Sequence, residues 1–280
     1  MKVICVPVVN RPECAVALET AFKLAKPLSA AIMGYHLRAH SDSEISLPEA
    51  VSSLVNGEQD DVHEPTGDQQ SASDLFAQVA ESFGYAFSKK AAPAPVAWWQ
   101  ARTGSPDKLF SIVGPVTDMI VVSRPGQSGG KTARQFMLSA LLNSGKPTLV
   151  LPQQPQSSVG KKICIAWNQS PEAARAVTAA MPMLQQAEQV TIITNGQQDR
   201  VGPKARHLQH YLTLNGVDST HLACRESQDI QALLSAYEQS QSDLMVMGAY
   251  SRSRLRQVIF GGVTEHMLFK ADVPVLMMHS

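Results

Sequence analysis

The chain lacks charge of one sign, lacks paired cysteines and lacks any long apolar run, and each absence removes a class of function. Lys+Arg and Asp+Glu number 24 each in 280 residues, so no overall field gathers nucleic acid or an acidic membrane, and any anion site must be local. The four cysteines, Cys5, Cys14, Cys164 and Cys224, form no C-x-x-C pair and no zinc-type spacing with histidine. Cys5 and Cys164 sit inside apolar, strand-like runs, where a reduced thiol behaves as a small hydrophobe. No segment approaches the roughly 20 apolar residues of a membrane span, and the opening MKVICVPVVN has no secretory core. A cytoplasmic protein with no membrane and no nucleic-acid partner is expected. Catalytic signatures are absent as well. There is no G-x-S-x-G, no H-E-x-x-H and no Cys/His nucleophile pattern, so no catalytic residue and no enzyme is expected. His207 and His210 fall three apart on a predicted helix with no third ligand nearby, which gives no metal site, and His36, His40 and His63 receive no role.

What the chain does have is an internal repeat. Lys2 to Ala25 and Lys162 to Ala187 both read as an apolar strand, a polar turn, a Pro-Glu step and an alanine-rich helix. DMIVV from Asp118 matches DLMVM from Asp243, and KPTLVLP from Lys146 matches VPVLMMH from Val273, in the same order. The polar segment QQPQSSVG, residues 153–160, has nothing to bury and reads as a linker between halves 1–152 and 161–280. In the second half, strands are expected at KICIAW, QVTIITN, DSTHLAC, DLMVM and PVLMMH, with helices over 170–186, 203–215, 227–241 and 263–270. Near-continuous apolar strands alternating with helices predict an α/β fold, with two doubly wound five-stranded parallel sheets. The first half departs over about 40–70, an acidic, Ser- and Pro-containing excursion without clear period. The adjacent Trp98 and Trp99 are expected to point to opposite faces of one strand.

The stretch GAYSRSRLRQVIFGG, Gly248 to Gly262, leaves an apolar strand and enters a helix. Gly248 lets a backbone come close, Gly261 and Gly262 open the helix with unobstructed amides, and Arg252, Arg254 and Arg256 alternate so that an extended loop could turn all three to one side. Phosphate binding and a plain strand-to-helix connection both fit this pattern. At the matching place the first half reads SRPGQSGGKTARQF, whose Gly130-Lys131-Thr132 imitates a Walker A loop. Pro125 stands where that loop needs its first glycine, and Asp118 begins its strand instead of ending it, so a nucleoside triphosphatase using 125–132 is the outside reading. Gly126, Gly129, Gly130 and Lys131 keep the option of an anion nest.

Gly248, Ser251, Gly261 and Gly262 follow the spacing G-x2-G-x9-G-(S/T) with two replacements, and the loop resembles that of the universal stress protein family. IAWNQSPEAARAV resembles the family's first strand and helix and VPVLMMH its last strand, so the whole chain resembles a tandem universal stress protein. The resemblance implies a universal stress protein of regulatory role, with an adenine nucleotide, ATP or AMP, in the second half and magnesium only as the nucleotide's companion. It also implies that the two halves form a pseudo-dimer about a pseudo-twofold axis through their last strands; a homodimer and unknown protein partners remain open. The implied site comprises Trp167, Asn168, Thr194, Gly248, Ser251, Arg252, Gly261, Gly262 and Thr264. Ser251 stands at the second glycine, Gly262 at the Ser/Thr position, and Asn168 where nucleotide-binding relatives carry Asp. Trp167 can stack on an adenine or fill the pocket. In the first half Ser123 replaces the first glycine and Arg134-Gln135 the late pair, which marks a degenerate motif. An interaction scaffold of the same fold, without nucleotide, is the alternative.

Overall fold

Short runs in which every side chain is apolar become strands buried on both faces. The second half approaches this in β7 (Lys162–Ala166), β8 (Gln189–Asn195), β10 (Leu244–Gly248) and β11 (Val275–Met278), which carry buried centres, whereas β9 (Thr220–Cys224) is a largely exposed edge strand. The structure is a computed structural model that describes residues 1–9, 12–39, 69–126, 131–195, 201–224, 230–249 and 262–279. Two compact units emerge, Met1–Gln156 and Ser157–Ser280, and the division falls inside the polar stretch 153–160.

In the second unit the strand order is β9-β8-β7-β10-β11, all neighbours parallel. The crossovers carry α5 (Pro171–Leu184), α6 (Ala205–Leu214), α7 (Ile230–Gln239) and α8 (Gly262–Phe269). The first unit repeats the order with β4 (Val96–Gly104), β2 (Ala31–Ala39), β1 (Val3–Pro7), β5 (Met119–Ser123) and β6 (Thr148–Leu151). Its helices are α1 (Pro12–Leu28), α2 (Gln69–Ser82), α3 (Pro106–Val113) and α4 (Lys131–Asn143). One strand goes beyond the expected five. The three-residue β3 (Ala86–Ser88) lies parallel to β4 at the sheet edge. Most of the excursion 40–70 lies outside the described residues; α2 begins at its end, at Gln69. Among the described residues no helix is long and apolar enough to cross a membrane.

Aromatic residues fill the first unit's core. Phe22 of α1 packs on Phe76 of α2, on Phe83 and edge-on to Tyr85, and Phe76 continues to Trp99. Gly34 in β2 makes room for this cluster, since a Cβ there would stand 2.7 Å from the Phe76 ring. Trp98 and Trp99 are both buried, and their alternation sends only Trp99 to this face.

The two units share a device at the amino ends of their strands. Asp118, just before β5, accepts the backbone N–H groups of Lys2 and Val3. Asp243, just before β10, accepts those of Gly160, Lys161 and Lys162. Both aspartates thus tie the entry of one central strand to its neighbour, which is why each strand-opening match in the repeat begins with Asp. Burial raises the Asp118 pKa, but the N–H groups of Lys2 and Val3, the amino terminus and Lys146 together bring it below the ordinary Asp value. A depressed native pKa gives stability that is complete above the unfolded value, about 3.9, and is lost as pH falls through the native pKa. Asp118→Asn, which puts an amide donor where two N–H groups need an acceptor, is expected to cost about 1–3 kcal/mol at neutral pH. The gap from wild type should close in strongly acidic solution. Urea unfolding of both proteins across pH checks this; a gap that is constant with pH contradicts it.

Burial also pushes the thiols of Cys5 in β1 and Cys164 in β7 up to about 12. Neither holds appreciable thiolate at neutral pH, and the thiolate is the nucleophile. Iodoacetamide followed by peptide mass analysis should leave both unmodified in the native protein and alkylate them on unfolding. Native-state labelling at either cysteine would contradict their placement.

Candidate functional site

In both units the chain order reverses beside the first strand, between β1 and β5 and between β7 and β10, and a ligand crevice is expected outside the carboxyl ends there. In the second unit β7 ends at Ala166 and the chain passes through Trp167, Asn168 and Gln169 to Ser170, the cap of α5. Local sequence explains the helix start. Ser170 Oγ accepts Ala173 N–H at 3.1 Å, Pro171 occupies the first turn without needing its N–H bonded, and Glu172 faces the positive helix end.

Trp167 fills this end of the sheet with its own side chain. It is 5% exposed, its backbone N–H bonds Ile193 O at 2.8 Å, and its indole Nε1–H donates to Pro203 O at 2.8 Å. Of the two options for this residue, the structure takes filling over an open stacking platform. Gln169 stands at φ 63°, a left-handed conformation costing a non-glycine residue roughly 1–2 kcal/mol. It is held there by Lys204, whose Nζ–H donates to Gln169 Oε1 at 3.0 Å, and by Gly202, where a Cβ would stand 2.6 Å from Gln169 O. Asn168 remains exposed and uses Oδ1 to accept Ser170 N–H at 3.1 Å. Thr194 is buried on β8, and its hydroxyl meets His221 Nε2 of β9 at 2.9 Å.

Gly248 ends β10, one step beyond the pair Met247 and Ala166 and so level with Trp167. The space its missing side chain leaves is taken by protein. A Cβ there would stand 2.5 Å from Ala173 N and 2.7 Å from Glu172 C. The glycine therefore seats the first turn of α5 on β10, a reason that its position in the loop motif did not suggest. The first unit makes the same contact differently, with Ser123 Oγ–H donating to Glu13 O at 2.7 Å. Glu172 is itself buried and paired with Arg175 Nη2 at 3.3 Å. Its carboxylate already compensates the α5 N-terminus, so a further anion there would meet like charge.

The α8 N-terminus opens at the same end of the sheet. Gly262 is exposed, and among the described residues a Cβ on it would meet nothing nearer than Ile230 Cδ1 at 3.9 Å. Thr264 is buried two residues on. Ser251, Arg252 and Gly261 lie outside the described residues, as do Arg254 and Arg256. The structure thus brings Trp167, Thr194 and Gly248 into one row at the carboxyl end of the sheet, with Asn168 just beyond it. Sequence reasoning missed Gln169, Glu172, Lys204 and His221. Their roles come from partners on other elements, and only Glu172, beside a Pro at a helix start, carried a local signal.

In the first unit Gly129 and Gly130 lie outside the described residues, and Lys131 and Thr132 open α4. Gly126 is closed over by Gln153, whose Nε2 would stand 2.7 Å from a Cβ there. His36 is buried, donates Nδ1–H to Val8 O at 2.9 Å and stacks on Trp99, so it holds β1 and β2 together. His207 accepts Lys204 N–H at 3.0 Å and caps α6. Among the described residues no three His, Cys, Asp or Glu gather as a metal site would require.

Residues 196–279 match the model of the universal stress protein family, a span that holds β9, β10, the loop and β11 but not β7. No curated protein matches the chain. Among solved structures, a universal stress protein from Archaeoglobus fulgidus DSM 4304 superposes with a TM-score of 0.73 at 15% identity, covering 99% of this chain and 98% of that one. A Pseudomonas aeruginosa UCBPP-PA14 protein provisionally assigned as a universal stress protein superposes with a TM-score of 0.56 at 12% identity, covering 100% of this chain and 93% of that one. At such identities the superpositions speak for the fold. Residues 196–279 are thus similar to the universal stress protein family, and the chain as a whole has the fold of the tandem universal stress proteins.

Proposed function

We propose that this chain is a regulatory stress protein that acts by binding without turnover, and that its second unit bears the ligand, an adenine nucleotide. The observation that supports the reading is the contrast between the two helix ends at the second unit's crevice. The α5 end is covered by Gly248 and compensated by Glu172, whereas α8 opens at exposed Gly262, whose nearest neighbour among the described residues would stand 3.9 Å from a Cβ there. Uncompensated N–H groups at a helix start receive phosphate, and the arginines of the preceding loop supply the countercharge. Glu265 comes only at the end of that first turn. The base would rest against the outer side of Asn168, with Trp167 as the wall behind it. Hydrolysis needs a positioned water and metal-held phosphates, and among the described residues neither crevice offers a recognisable base for the water. Asp243 is committed to three backbone N–H groups at the opposite end of the sheet. A ligand bound without turnover acts by favouring the conformation it binds better.

A second reading, an interaction scaffold of the same fold, is favoured by one observation. Trp167 and Thr194 already have protein partners where a base would need them. Equilibrium dialysis of radiolabelled ATP separates the two. The nucleotide reading expects saturable binding that Arg252→Ala/Arg254→Ala abolishes, with no steady phosphate release in magnesium. Absence of binding selects the scaffold, and phosphate release abolished by Lys131→Ala selects the nucleoside triphosphatase reading.

A further inference from the structure

We infer that Gln169 is a ligand contact, held by Lys204 as a hydrogen-bond donor, and that the turn after β7 reads the ring nitrogens of adenine and not its exocyclic amine; the inference rests on the nucleotide reading above. Gln169 is 8% exposed, and its Oε1 accepts Lys204 Nζ–H at 3.0 Å. A carboxamide whose oxygen faces an ammonium has one orientation, so Nε2 carries its two N–H groups on the other side. These have no hydrogen-bond partner among the described residues. Unlike the Trp98 Nε1–H, which is sealed in the core, Nε2 stays open to ligand or water.

Asn168 is fixed in the same sense. Its Oδ1 accepts Ser170 N–H at 3.1 Å, which leaves its own N–H groups to the exposed side. The segment that holds Gln169 through Lys204 also receives the Trp167 indole, at Pro203 O. The indole, the two carboxamides and Lys204 therefore belong to one wall at the carboxyl end of β7. Both side-chain oxygens of that wall are turned toward protein donors, and the faces left to a ligand carry N–H groups. A ligand donor placed there loses its water and gains nothing, whereas an acceptor gains a fixed partner. Adenine's ring nitrogens accept and its exocyclic amine donates, so the base enters with ring nitrogens toward the wall and the amine away from it.

Equilibrium dialysis of the full chain with ATP, and with ATP dimethylated at its exocyclic amine, tests this. The dimethylated nucleotide keeps the ring nitrogens and should bind the unaltered protein within about threefold of ATP. Gln169→Met removes the donors at similar size and should weaken both ligands about fivefold. Lys204→Met releases the carboxamide and should weaken ATP about threefold, with Lys204→Arg restoring it. If Lys204 acts through Gln169, the double variant Gln169→Met/Lys204→Met loses no more than Gln169→Met alone. Loss of binding on dimethylation, ATP binding undiminished by Gln169→Met, or additive losses in the double variant would overturn the inference and leave the nucleotide reading standing. No ATP binding to the unaltered protein would remove both.

Discussion

Adding one methyl group at Gly248 is expected to destabilise the second unit by about 3 kcal/mol, while the same change at Gly104 leaves stability within about 0.5 kcal/mol. The difference lies in what each Cβ meets. At Gly248 it would stand 2.5 Å from Ala173 N and 2.7 Å from Glu172 C, backbone atoms of a helix that can yield only by moving as a whole. At Gly104, the end of β4, nothing among the described residues lies within 4 Å. Interiors packed to crystal density do not absorb such an overlap by local adjustment. Urea unfolding of Gly248→Ala should show a lower midpoint at unchanged slope. A midpoint equal to wild type would mean that α5 does not sit on β10 as described.

Trp167→Ala should cost about 3–5 kcal/mol, the range for removing a large buried aromatic side chain. The indole is 5% exposed, and its loss also strands Pro203 O without the donor it now has at 2.8 Å. Trp167→Phe retains most of the packing and removes the donor, so about 1–3 kcal/mol is expected. If both variants proved as stable as wild type, Trp167 would be a surface platform open to a base, and the filled pocket would be refuted.

Apolar runs such as KICIA and LMVMG made the strands legible, because a strand buried on both faces needs no alternation to be recognised. The repeat of Lys2 to Ala25 in Lys162 to Ala187 made the two units legible, and the Asp that opens DMIVV and DLMVM proved to have the same hydrogen-bonding role in both. The strand β3 was not legible. Ala86 and Phe87 are exposed and Ser88 half-buried, so its sequence carries no burial pattern, and pairing with β4 alone defines it.

That Trp167, Thr194 and Gly248 share the carboxyl end of the second sheet was legible; what each of them touches was not. Glycine after a strand can admit a ligand or a helix, and Gly248 admits the first turn of α5, an element distant in sequence that no local pattern names. Trp167 next to Asn168 left stacking and filling equally open, and the carbonyl of Pro203 decides between them from another segment. Gln169 holds a left-handed backbone through Lys204 and Gly202, contacts that only the folded chain brings together.

Amide hydrogen exchange of the full chain, with and without saturating ATP and magnesium, tests most directly that the second unit bears the ligand. The account predicts slowed exchange in peptides spanning residues 244–269, with a smaller effect over 162–173 and none over 119–143. Slowing at 119–143 instead, beside Lys131, or no change anywhere in the chain, would contradict it.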